Sequence, residues 1–206
     1  ECCVYADGRP LKNVIGRTVA VEKITVHPRY DQAHHYDWDF CVLRLMEPIV
    51  MDDTVKPIAL AETTLVPELS LRNESRFTGS HRCVVMGWGI TETRYQSAIL
   101  LSASVKVMSH AYCKSLQTTN ISKREYSKLD DEFAFCAGQR QTGNVGDMPD
   151  SCQGDSGGPL VCSDSNGLVQ HGIVSWGGER CGEHREPGVY ANVASAISWI
   201  KNVTGT

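Results

Sequence analysis

Asp150-Ser151-Cys152-Gln153-Gly154-Asp155-Ser156-Gly157-Gly158-Pro159-Leu160-Val161-Cys162 is the stretch on which the reading of this chain turns. A serine stands between glycines, one acid directly precedes it, and a second acid lies six residues upstream. Cys152 and Cys162 flank it. A hydroxyl becomes a useful nucleophile when it is exposed, held still and placed beside donors that can receive an oxyanion. Gly154 and Gly157 free the backbone for a sharp turn and for close approach of a substrate carbonyl. The short pattern G-x-S-x-G also fits an ordinary glycine-rich loop with a solvated serine; the longer run is far more specific.

The chain has 206 residues, enough for one compact unit or two small ones with an adequate core. A net charge of -4 and a pI near 6.0 argue against nucleic acid or an anionic membrane as partner. No apolar run approaches the length of a membrane span, and no signal peptide opens the chain. Nine cysteines without paired C-x-x-C spacing suggest an oxidising compartment rather than a zinc module. The sequons at Asn73, Asn120 and Asn202 agree with a secreted protein. An odd cysteine count leaves at least one without a partner in the chain.

Thr18 to Val26 is rich in β-branched residues and reads as a strand stopped by His27-Pro28. Phe40 to Leu45 is a nearly continuous apolar run, suiting a buried strand. The polar, turn-rich stretch 61–82 reads as a linker. Beyond it, Cys83 to Gly87 is a strand, and Leu101, Ala103, Val105 and Val107 alternate with polar residues as a half-buried strand does. Leu168 to Trp176 and Gly188 to Val193 add two more. Val193, Ile197 and Ile200 share one helical face, which predicts a C-terminal amphipathic helix. Many short strands separated by turns imply antiparallel barrels or a sandwich.

The run around Ser156 resembles the nucleophile loop of the chymotrypsin/trypsin family of serine proteases. Asp37-Trp38-Asp39-Phe40-Cys41-Val42-Leu43-Arg44-Leu45 is similar to that family's D-N-D-I-A-L-L-K-L strand. The resemblance covers about Tyr5 to Thr204. It implies an all-β fold of two antiparallel Greek-key barrels with a C-terminal helix: the rest of a first, incomplete barrel in 1–60, the linker 61–82, a second barrel in 83–192 and the helix in 193–206. It also implies the roles. Ser156 is the nucleophile and Asp39 the acid that orients the base, while the amides of Gly154 and Ser156 form the oxyanion hole. Asp155 pairs with an N-terminal amine after activation cleavage. Asp150 lies at the base of the primary pocket, between walls formed by Ser175-Trp176-Gly177 and Pro187-Gly188. A carboxylate there selects arginine or lysine. The implied disulfides are Cys83–Cys162, Cys113–Cys136 and Cys152–Cys181, which leaves Cys41 as a buried thiol and Cys2 and Cys3 unassigned. No cofactor or metal is implied, and Pro187 argues against a sodium effect.

Serine hydrolysis also needs a base. Of the seven histidines, His27 falls in a segment resembling a non-catalytic surface stretch of the family. His34, His35, His81, His110, His171 and His184 read as structural or solvated. The family's Ala-Ala-His-Cys and basic-residue-I-V-G-G motifs do not occur. The chain is therefore expected to be the back part of a protease domain, inactive alone and zymogen-like in its pocket. The parent protein is expected to be a secreted, monomeric endopeptidase acting on proteins or peptides after Arg or Lys and open to protein protease inhibitors, with no nucleic acid or membrane as partner. The alternative is an inactive protease homologue with a binding or regulatory role. An α/β-hydrolase is disfavoured, because Gly157-Gly158-Pro159 opposes a helix after the serine and only 50 residues follow it.

Overall fold

A computed structural model describes residues 18–33, 36–65, 83–115, 126, 129, 132–139, 149–164, 167–178, 181–182 and 186–206. Calls falling on Cys2, Cys3, His34, His35, His81, His184, Asn73 and Asn120 lie outside these residues.

Strands β1 (Val21–Val26) and β2 (Cys41–Leu45) pair antiparallel as a two-stranded sheet, with a bulge between Val21 and Lys23. The expectation of a buried strand at Phe40–Leu45 fails for most of its length. Phe40 is buried at 1% exposure, but Leu43 is 48% exposed and Ile24, on β1, 52%. An apolar strand is buried only where a second layer faces it, and among the described residues none covers this face.

The second sheet contains β3 (Ala59–Leu60), β4 (Cys83–Gly87), β5 (Leu101–Val107), β6 (Ala134–Gly138), β7 (Pro159–Asp164), β8 (Gly167–Trp176) and β9 (Gly188–Asn192). Its order is β3-β8-β7-β4-β5-β6-β9, and β9 pairs back onto β8, closing a six-stranded antiparallel barrel. Closure removes sheet edges. The two residues of β3 attach in parallel outside β8, so this piece of the stretch before the linker packs on the second barrel. The overall arrangement is mostly β and agrees with the expected two-barrel class.

Every residue of β6 and of β9 is buried. The barrel interior packs Cys83, Val85, Val105, Val107, Phe135, Leu160 and Tyr190. A second cluster joins Trp38, Phe40, Met108, Tyr126 and Leu129 to Ala196 of the C-terminal helix. Helix α1 (His110–Ser115) carries Cys113, and helix α2 (Val193–Thr204) ends on Gly205, whose φ of +76° lies in the left-handed region. A glycine is suited to that cap because it carries no Cβ. No described helix is long and apolar enough to cross a membrane.

Candidate active site

The loop before β7 presents Ser156 at the surface. Gly154 (φ +98°) and Gly157 (φ +80°) on either side adopt conformations that other residues rarely take. Within the loop the Asp155 amide donates to Cys152 O (2.9 Å) and the Gly158 amide to Asp155 O (2.8 Å). Reciprocal bonds of 2.9 Å, Gly157 N to Val174 O and Val174 N to Gly158 O, hold the loop on β8. A disulfide from Cys152 to Cys181 clamps its other side. The amides of Gln153, Gly154 and Ser156 donate to no acceptor among the described residues. Among the described residues, these three N–H groups beside an exposed hydroxyl are therefore open to an external acceptor such as an oxyanion.

Asp155 points away from this face. Its Oδ1 accepts the Gly89 amide at 2.7 Å and its Oδ2 the Cys152 amide at 2.9 Å. A Cβ on Gly87 or Gly89 would overlap that carboxylate, so both glycines are sites of close approach.

Asp39, at the mouth of β2, accepts the Ser175 hydroxyl on Oδ2 at 2.6 Å. This bond spans 136 residues and ties Asp39 to β8, next to Val174, which bonds the Ser156 loop. Trp38 precedes it at φ +51°, an unusual conformation for a bulky residue. The strain is offset by stacking: the Trp38 ring lies 4.7 Å from His27 at 7° and under the Arg29 guanidinium at 4.2 Å. His27 also meets Trp199 of α2 edge-on at 4.7 Å. The expected surface position for His27 is thus incorrect. It is 6% exposed, because β1 ends against the helix and the Trp38 ring closes over it. Burial, then the Arg29 charge, hold its imidazole below the ordinary range. His110 reaches Ala134 O at 3.1 Å, and His171 is buried in β8. The described histidines are committed to the core.

Asp150 accepts the Ser151 amide on Oδ1 at 2.8 Å and the Gly182 amide on Oδ2 at 3.3 Å. Burial nevertheless pushes its carboxyl up to about 6, since two amides do not replace a hydration shell. A Cβ on Gly188 would come to 3.0 Å of Asp150 Oδ1 and 3.1 Å of the Tyr190 hydroxyl. The opposite wall is as bare, with Gly188 Cα 3.6 Å from where a Gly177 Cβ would sit. Trp176 lies half-buried beside it. A cavity of about 580 Å³ receives both Asp150 and Asp155 and is bounded by Gly87, Gly89, Gln153 and Gly182. Glu92 and Arg94 line it as well, so the cavity carries three carboxylates and one guanidinium.

Sequence reasoning missed Tyr126. Its hydroxyl donates to Pro187 O at 2.7 Å and its ring lies 5.0 Å from that of Trp176, so it links the two segments that sequence reasoning expected to wall the pocket. Nothing local marks it. Ser151 is also more than a neighbour of Asp150, since its hydroxyl bonds that of Tyr190 at 3.2 Å. The other disulfides join Cys83 to Cys162 across β4 and β7, and Cys113 of α1 to Cys136 of β6. Cys41 is half-buried on β2 rather than fully buried.

A family model described as Trypsin matches residues 4–200. Among curated relatives, human Transmembrane protease serine 5 is 36% identical over 182 residues, covering 87% of this chain and 35% of the relative. Trypsin 5G1 of Aedes aegypti is 34% identical over 192 residues, covering 92% of this chain and 61% of the relative. Transmembrane protease serine 9 of Rattus norvegicus is 34% identical over 92% of this chain and 16% of its own length. The chain thus spans less than two thirds of each. Among solved structures, mouse neuropsin, a serine protease expressed in the limbic system of the brain, superposes with a TM-score of 0.69 at 28% identity. That match covers 90% of this chain and 71% of neuropsin.

Proposed function

The chain belongs to the trypsin family of serine proteases, and on that premise we propose that it serves a secreted endopeptidase cleaving after arginine or lysine. The carrying observation is the half-buried Asp150 carboxylate beside the bare glycine walls, which desolvation raises to about 6 although two amides donate to it and which faces no paired cation among the described residues. A guanidinium or ammonium group supplies that partner, and arginine can engage both oxygens.

In this reading a bound substrate places its basic side chain on Asp150 and its scissile carbonyl at Ser156. The Ser156 oxygen attacks the carbonyl carbon while an imidazole base takes the hydroxyl proton. The carbonyl oxygen becomes an oxyanion held by the Gly154 and Ser156 amides. The tetrahedral intermediate then collapses, the C–N bond breaks, and the amine leaves with the proton returned by the imidazolium. Water repeats the sequence on the acyl-enzyme. Asp39, held by Ser175, orients the base and stabilises its charged form. The base is not among the described histidines, and an amine reaching Asp155 would add a cation to the same cavity. No cofactor enters this chemistry. Protein substrates, and protein inhibitors that mimic them, are the partners.

The test uses the protein at the length cells produce. Peptide amides differing only in the residue before the scissile bond are offered, and a fluorophosphonate probe is mapped by mass spectrometry. Hydrolysis after Arg and Lys, with the label on Ser156 and lost in Ser156→Ala, is the expected result. Preference for an aromatic residue overturns the specificity. Arginine-peptide binding without labelling or turnover replaces the enzyme with a binding homologue.

A further inference from the structure

Asp39 can orient a base only if its carboxylate keeps one direction, and among the described residues Ser175 Oγ alone donates to that side chain. A single donor on one oxygen leaves the carboxylate able to swing, so the rest of the constraint must come from the main chain. Asp39 is the middle residue of a three-residue turn. The Phe40 amide donates to Trp38 O at 2.7 Å, and because Asp39 has no positive φ the turn is an inverse γ-turn. The carboxylate therefore points where the positions of Trp38 and Phe40 send it.

His27 holds both of these neighbours. The register that pairs Val26 with Cys41 continues one step past the strands, and the His27 amide donates to Phe40 O at 2.9 Å. Its ring lies 4.7 Å from that of Trp38 at 7° and meets that of Phe40 edge-on at 6.1 Å. All three residues are buried, and Trp199 of α2 packs edge-on against the imidazole at 4.7 Å. Trp38 needs such a grip. At φ +51° its Cβ crowds its own carbonyl oxygen, and that oxygen is the acceptor that closes the turn at Asp39. A Trp38 released from the stack would relax toward an ordinary φ, open the turn and carry Asp39 with it.

We propose that His27 is a positioning residue, whose ring, stacked on Trp38, fixes the turn that aims the Asp39 carboxylate. The inference rests on the proteolytic reading above. It gives His27 no part in proton transfer, since the role belongs to the shape of the ring and not to its nitrogens. It also separates two properties of the site. Binding of a cation at Asp150 does not use Asp39, whereas acylation of Ser156 does.

The experiment takes the protein at the length cells produce and compares His27→Ala, which removes the ring, with His27→Phe. The second keeps a ring but drops the Nδ1 acceptor of the Arg29 amide, a 3.3 Å contact. Both keep the amide that donates to Phe40 O. Benzamidine affinity reports the Asp150 pocket, and kcat and KM on an arginyl peptide amide report the acid and the serine. For His27→Ala the expected result is a kcat lower by about 10–10²-fold, the scale of loss from a misplacement of about 1 Å, with KM and benzamidine affinity within about twofold. His27→Phe should hold kcat within a few-fold of wild type. Unchanged kcat in His27→Ala, or an equal loss in His27→Phe, overturns the proposal. Should His27→Ala lose benzamidine as well, His27→Leu refills the volume without a flat ring and decides by the same split; loss of both properties there too makes His27 a general core residue and overturns the assignment. In a Trp38→Asn background, where the side chain tolerates a left-handed backbone without a stack, His27→Ala should add no further loss of kcat. An undiminished loss in that background also overturns it. A wild-type protein that neither binds benzamidine nor cleaves the arginyl amide overturns the proteolytic reading and this inference with it, whereas an active wild type without the expected split overturns this inference alone.

Discussion

Replacing Asp150 by asparagine should make the protein more stable at neutral pH while removing its hold on basic side chains. Burial raises the carboxyl from an ordinary 3.8 to about 6, so ionising it is harder in the folded chain than in the unfolded one. At 1.36 kcal/mol per pKa unit, the folded state is penalised by about 3 kcal/mol once Asp150 is charged in both states. The sign follows from linkage. Below pH 4 the group is neutral folded and unfolded, and no penalty exists. As pH rises from about 4 through 6 the unfolded chain ionises first, and stability falls relative to the variant. Asparagine keeps an oxygen for the Ser151 or Gly182 amide and introduces no charge. Urea unfolding of both proteins at pH 4 and pH 8 should show near-equal stability at the lower pH and a variant advantage of about 2–3 kcal/mol at the higher. For a chain of this size that is about 4–12 °C in Tm. A saturating benzamidine-type cation should restore the wild-type deficit and leave the variant unmoved. A variant less stable than wild type at pH 8, or a difference independent of pH, would refute the argument that Asp150 is an uncompensated carboxylate.

Three further outcomes are expected. Ser175→Ala removes the 2.6 Å donor to Asp39, a charge-assisted bond worth about 1.5–3 kcal/mol; kcat should fall while benzamidine affinity, measured by competition, stays within about twofold. Tyr126→Phe leaves Pro187 O without its donor in a buried place, costing about 1–3 kcal/mol in denaturant titration. The same change should weaken benzamidine binding, because the two walls lose their tie. His27 is held below its ordinary value by burial and then by Arg29, so the unfolded state takes up its proton first. Stability should therefore decline as pH drops below about 6.5, and His27→Phe, which keeps a ring against Trp38, should flatten that part of a pH–stability curve.

Much of the fold was legible in the sequence because it was written in local periodicity. Strand β5 falls where alternation put it and helix α2 where helical spacing put it, while β4, β8 and β9 fall on the short runs read as strands. Strand β6 and the two-residue β3 were not visible. Ala134-Phe135-Cys136-Ala137-Gly138 is short and buried on both faces, so it shows no alternation. Strand β7 was read only as the flank of the serine loop. The loop around Ser156 was marked in the same local way, by a serine set among glycines between two cysteines.

What the chain could not disclose by itself is which groups distant in sequence would meet. The acid and serine motifs were readable, but Ser175 reaches Asp39 across 136 residues and Tyr126 reaches Pro187 across 61. No residue pattern near either end signals the other. Hydrophobicity over Phe40–Leu45 suggested a buried strand, yet Leu43 is 48% exposed, because burial depends on the layer that faces it. His27 looked superficial and lies beneath Trp38 and Trp199, because a helix from the far end of the chain closes over it. Residue types set the available chemistry, whereas the direction of a carbonyl such as that of Gln153 is set by whichever donor the tertiary fold brings to it.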